Sequence, residues 1–107
     1  MFLSLLDIFY NRIYLTKDCW YNHILVRHPI MHHFLKELET TVQKPDYIYR
    51  SKTEHQTRLY YQLTDTKFGK IYILVVIDMK PNRKIGYVKT ALPVYKIKGG
   101  NLLWRKI

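Results

Sequence analysis

The sequence predicts an α+β domain: two N-terminal helices packed on a four- to five-stranded antiparallel sheet. Three observations predict it. Apolar residues recur at helical spacing before Pro45 and alternate or run together as in strands after it. The four Gly and four Pro act as local punctuation, with no repeat and no linker-like stretch between them. A chain of 107 residues, 48% hydrophobic, can bury one core and no second one, so residues 1–107 read as a single continuous domain.

The first helix is expected from Lys17 to Arg27, with Thr16 as N-cap and Asp18 in the first turn. His28-Pro29 marks its end, because proline disfavours helical geometry in the preceding residue and suits the first position of a new helix. The second helix then runs from Pro29 to Gln43, with Met31, Phe34, Leu35, Leu38 and Val42 on one face. After Lys44-Pro45-Asp46, Tyr47 to Arg50 reads as a short strand and Ser51 to Gln56 as a loop. Arg58 to Leu63 alternates cleanly, with Leu59, Tyr61 and Leu63 on one side and Arg58, Tyr60 and Gln62 on the other. Ile71 to Ile77 is apolar on both faces and reads as the central strand, entered through a turn at Phe68-Gly69-Lys70. The loop Asp78 to Lys84 leads into a strand from Ile85 to Ala91, and Gly99-Gly100 suggests a last hairpin joining Val94–Lys98 to Leu102–Arg105.

Eighteen Lys and Arg oppose eight Asp and Glu, a formal charge of +10 that points to an anionic partner, with nucleic acid first and membrane lipid second. The excess is uneven. Residues 1–49 carry five bases and five acids, whereas residues 50–107 carry thirteen bases against three acids. The basic surface therefore belongs to the predicted sheet. A lone Cys19 fits a reducing cytoplasm. The opening run Met1 to Leu6 is interrupted by Asp7 and has no basic leader before it, which argues against a signal peptide. No stretch approaches the ~20 apolar residues of a membrane helix, so no membrane partner is expected.

The stretch Trp20 to Pro29 carries the most chemistry. At roughly 100° per residue, Trp20, His23, Ile24, Arg27 and His28 fall on one side of the helix, so an imidazole and a guanidinium enter the core-facing stripe. Such groups must be paired or open onto a cleft. Alternatively, His23 and Arg27 sit at the edge of the stripe and Arg27 reaches water along its own stem. A metal bound by His28, His32 and His33 is disfavoured because no carboxylate or thiol stands at a usual ligand spacing, and no cofactor motif or glycine-rich phosphate loop is present.

The run from Thr16 to Pro29, the Lys44-Pro45-Asp46 segment, the Leu59-Tyr60-Tyr61 and Val75-Val76 strands and Lys89-Thr90-Ala91 together resemble the phage-type branch of the barnase, EndoU, colicin and RelE nuclease superfamily. The likeness spans roughly residues 12–105. It is carried best by Trp20, His23-Ile24 and Arg27-His28-Pro29. It implies two helices followed by a four-stranded antiparallel sheet. It also implies a metal-independent endoribonuclease, often a toxin, that makes the RNA 2′-hydroxyl attack the adjacent phosphate and leaves a 2′,3′-cyclic phosphate.

Matched by motif, the positions this implies are His23, Arg27, His28 and Thr90, with Tyr60 a looser match. In-line transesterification needs a base, an acid and donors for the dianionic phosphorane. His23 is assigned as acid or base, Arg27 as phosphorane clamp and Thr90 as neutral donor, with His28 or Tyr60 as second proton carrier. Arg50, Arg58, Lys89 and Lys96 are expected to hold flanking phosphates, and Tyr47, Tyr49 or Tyr87 to stack bases. The expected partner is RNA, either tRNA or RNA engaged in translation, together with an acidic antitoxin or immunity protein complementary to the basic face. The alternative is a non-catalytic nucleic-acid-binding module, for which charge and exposed tyrosines suffice.

Overall fold

Leu3 and Leu5 alternate with Ser4 and Leu6, and Ile13 and Leu15 alternate with Arg12 and Tyr14. In the computed structural model, which describes residues 2–67, 69–80 and 82–107, these two runs are strands: β1 (Leu3–Leu6) and β2 (Arg12–Leu15), paired antiparallel. Leu5, Ile13 and Leu15 point into the core and are almost fully buried. A two-stranded hairpin cannot bury its apolar side alone, so it must dock on a larger sheet.

The rest of that sheet comes from β3 (Tyr47–Arg50), β4 (Thr57–Thr66), β5 (Gly69–Met79), β6 (Ile85–Val94) and β7 (Asn101–Arg105). The spatial order is β1-β2-β6-β5-β4-β3-β7. β2 lies parallel to β6, with Arg12 opposite Ile85 and Tyr14 opposite Tyr87, so the sheet is mixed. Two helices on a four- to five-stranded antiparallel sheet is therefore incorrect: the sheet has seven strands, and two of them precede the helices. β5 is central, as its apolar run requires, and its register with β4 holds from Thr57↔Asp78 to Thr66↔Gly69.

The C-terminal hairpin expected at Gly99-Gly100 does not form. β7 pairs with β3 at the far edge. Residues 95–100 reach it by crossing the sheet face opposite the helices, where the Tyr61 hydroxyl donates to the Lys98 carbonyl at 3.3 Å. Gly100 allows the arrival: a Cβ there would stand 2.4 Å from the Arg50 carbonyl oxygen. Of the turn expected before the central strand, Gly69 opens β5 with φ +107 and Phe68 lies outside the described residues.

The helical segments lie on one sheet face. Thr16 accepts the Cys19 N–H at 3.1 Å, as an N-cap should. Cys19–Ile24 is then wound as a π-helix before one α-helical turn, α1 (Leu25–Arg27). The second helix is not continuous from Pro29. Pro29–His33 is a 3-10 segment, the chain leaves helical geometry at Phe34 (φ −125, ψ 24), and α2 spans Leu35–Gln43. The break leaves the apolar face intact, with Met31, Leu38 and Val42 fully buried. No helix among the described residues is long and apolar enough to cross a membrane.

Register fixes which strand residues lie under the helices. Ile48, Tyr60, Val75 and Ala91 are aligned across β3, β4, β5 and β6, and all four are fully buried. Arg50, Arg58 and Gln62 share their face, because side chains two apart on a strand point the same way. Polar partners make this tolerable: Gln62 Nε2 donates to the Lys44 carbonyl at 2.8 Å, and the Tyr60 hydroxyl donates to Asp7 at 2.5 Å. The opposite face carries Tyr47, Tyr49, Tyr61 and Tyr72 in one continuous ladder with centroids 6.0 to 6.3 Å apart.

Candidate anion-binding cleft

The β1–β2 turn is built around Asp7. Its Oδ1 accepts the N–H groups of Phe9 and Asn11 at 2.9 and 2.8 Å, and its Oδ2 accepts Asn11 Nδ2 at 3.1 Å and the Tyr60 hydroxyl. A carboxylate that is 4% exposed needs such partners. Burial first, then the Asp7 charge and the hydrogen bond to it, push the Tyr60 phenol far above its ordinary range, while neighbouring Arg58 pulls the other way.

Arg58 lies at the mouth of this arrangement, with its guanidinium carbon 5.7 Å from the Phe9 ring centroid. Arg50 stands directly opposite it across β3 and β4, on the same face. Directly opposed residues on paired strands have Cβ atoms about 5 Å apart, and like charges placed so are destabilising. Arg50 Nε is moreover buried without a hydrogen-bond partner. The two arginines line a cavity of about 390 Å³ together with His55, Lys80, Asn82 and Arg83, and no carboxylate lines it among the described residues. Lys80 is shared with Asp78 at 3.3 Å, beside the cleft. A guanidinium pair without a carboxylate is the donor set that binds a phosphate bidentately.

The residues expected to carry catalysis are not assembled here. A π-turn aligns residues five apart, with Leu25 N–H donating to the Trp20 carbonyl, so a wheel drawn at 100° per residue misplaces side chains. Cys19, Trp20 and Ile24 face the core, while His23 and Arg27 are exposed. The same winding brings His23 Nε2 to 3.3 Å from Asp18 Oδ2. His28, outside helical geometry (φ −134, ψ 72) before Pro29, leads to the end of the strands away from the cleft, where Pro29, Ile30 and His33 line a pocket with Asp65, Thr66 and Lys67 at the end of β4. Thr90 is opposite Val76 on the other sheet face, with its hydroxyl buried and unpartnered. Tyr60 is interior.

Of the expected phosphate and base contacts, Arg50 and Arg58 come together in the cleft. Lys89 is engaged with Glu54 at 2.9 Å, and that bond holds the Glu54 carboxyl below its usual range. Lys96 is exposed in the 95–100 crossing, and Tyr87 packs on Tyr14 at 5.4 Å with Lys80 over its ring. Tyr47 and Tyr49 belong to the half-buried tyrosine ladder. Sequence reasoning missed His55, Lys80, Asn82 and Arg83. The cluster of bases from Lys80 to Lys84 between two strands was the available signal. Comparison with protein-family models, curated proteins and solved structures gives no match.

Proposed function

We propose that the protein binds the phosphate backbone of nucleic acid, RNA above all, at the Arg50–Arg58 cleft. The opposed arginine pair supports this reading: an anion between them relieves their repulsion and satisfies the buried Arg50 Nε. The thirteen bases of residues 50–107 supply the surrounding field. The test is fluorescence anisotropy of a labelled RNA across a salt series. Parental binding weakens with salt, and Arg50→Gln and Arg58→Gln each flatten that slope by about one ion. Equal slopes for parent and variants would remove the cleft from the interface.

A second reading is favoured by His55, the imidazole that lines the same cleft. In it the protein is a metal-independent endoribonuclease acting through 2′-hydroxyl attack, with a basic face that an acidic antitoxin covers and a cytoplasmic site of action. Incubation of total RNA with the protein in EDTA tests it, with His55→Ala and His23→Ala alongside. Cyclic-phosphate fragments lost only in His55→Ala place the chemistry in the cleft; loss only in His23→Ala returns it to the first helix. Intact RNA throughout leaves a binding module.

A further inference from the structure

The β1–β2 turn holds Tyr10 at φ 63, the left-handed region where glycine or asparagine is the inexpensive choice and a bulky aromatic is an outlier. The fold gains little from the ring, which is 75% exposed. Phe9 beside it is likewise exposed and carries the Arg58 guanidinium over one face. Both aromatics line a second cavity of about 630 Å³ that shares Asn11, Arg58 and Leu103 with the phosphate cleft and adds Lys84. Phe9 N–H and Asn11 N–H on Asp7 Oδ1, and Tyr10 N–H on the Asp7 carbonyl at 3.0 Å, fix the turn, so the backbone that carries both rings is set before any ligand arrives.

We infer that Phe9 and Tyr10 form a nucleobase-stacking subsite joined to the phosphate cleft, which makes single-stranded nucleic acid the ligand. The inference rests on the phosphate-binding reading above. Arg58 belongs to both cavities, so a phosphate gripped by the arginine pair has its own base within reach of the aromatic rim. In a duplex that base is stacked and paired inside, and only an unpaired strand can splay it onto Tyr10. Strain kept in an exposed aromatic next to an unpaired basic site is what a ligand contact, rather than stability, would retain.

The experiment measures affinity for three probes, a short unstructured RNA, an RNA duplex of the same length and tripolyphosphate, with the parent, Tyr10→Gly and Tyr10→Asn. Both substitutes accept φ 63, so the Tm does not fall and the turn stays formed. The expected result is that the parent prefers the single strand, and that each variant loses roughly tenfold in affinity for it while tripolyphosphate binding is unchanged. Unchanged single-strand affinity in both variants, equal loss on all probes, or parental preference for the duplex would overturn the stacking subsite and leave the phosphate cleft standing. A parent that binds none of the three removes both.

Discussion

The Tyr60 hydroxyl donates to the Asp7 carboxylate across 53 residues of chain, tying the central sheet to the turn that precedes it. Both groups are buried, 0% and 4% exposed. The bond holds the β1–β2 turn against β4, beside the contact of the Arg58 guanidinium with the Phe9 ring, so cutting it loosens the hairpin and the cleft wall together. Tyr60→Phe keeps the ring and removes the donor. A hydrogen bond to a charged group contributes about 1.5–3 kcal/mol. Asp7 retains its three other donors, from Phe9 and Asn11, which places the expected loss near the lower end of that range. Urea denaturation checks it; a loss below about 0.5 kcal/mol, the scatter of an ordinary surface substitution, would show that the bond carries no stability.

How much of this was legible depends on the segment. β3, the central strand and the apolar face of α2 followed from alternation and helical spacing, because those elements bury the side chains that their pattern displays. The β1–β2 hairpin was overlooked although Ile13 and Leu15 alternate with Arg12 and Tyr14, since four-residue strands give a weak signal and their partner strand, β6, lies 70 residues on. β4 misleads in another way: its polar-looking side, Arg58, Tyr60 and Gln62, is the one under the helices, while Leu63 on the other side is 44% exposed. Only the tertiary partners Asp7, Thr40 and Lys44 make that orientation tolerable, and sequence spacing does not display them. In the candidate site, Arg50 and Arg58 were legible as bases flanking a loop. The π-winding that turns His23 and Arg27 outward, and the left-handed backbone of Tyr10, have no local sequence mark.

Alkaline pH should destabilise the protein in two stages. Burial, reinforced by Asp18, pushes the Cys19 thiol from 9.0 up to about 11, and burial with Asp7 raises Tyr60 from 10.0. Both groups hold their protons more tightly folded than unfolded, so the folded state binds more protons above the unfolded values and stability falls as pH rises. The stabilisation is complete below pH 9, declines between pH 9 and 11 through Cys19 and continues to decline above pH 10 through Tyr60, joined by Tyr61, whose phenol burial also raises. Thermal melts from pH 8 upward, referenced to each variant's own value at pH 8, provide the check. Cys19→Ala flattens the first decline and Tyr60→Phe the second; parallel curves for all three proteins would assign the loss to general charge repulsion.

Phosphate should stabilise the fold through the arginine pair. A ligand that binds only the native state adds about 2.7 kcal/mol at a hundred times its Kd. Tripolyphosphate is therefore expected to raise the Tm of the parent and to do so far less in Arg50→Gln. Removing one of two opposed charges also relieves repulsion, so Arg50→Gln at low salt and without phosphate melts no lower than the parent. An equal Tm rise in both proteins would mean that the anion acts on the general basic surface.

Gly100 and its neighbour offer a contrast within one crossing. A Cβ on Gly100 would meet a backbone oxygen, that of Arg50 at 2.4 Å, and backbone in a paired strand cannot turn aside as a side chain can. β7 or β3 must shift, and because Arg50 is opposite both Asn101 and Arg58, the shift passes straight to the cleft. Overpacking of this kind costs about 1–3 kcal/mol. At Gly99 the nearest atom is the Lys52 ammonium nitrogen at 4.0 Å, the mobile end of a long side chain. Gly99→Ala is accordingly expected to leave stability within about 0.5 kcal/mol of the parent, whereas Gly100→Ala loses stability and weakens tripolyphosphate binding in the same preparation. If Gly100→Ala alone were to melt like the parent and bind like it, β7 would not be held against Arg50 as closely as the crossing requires.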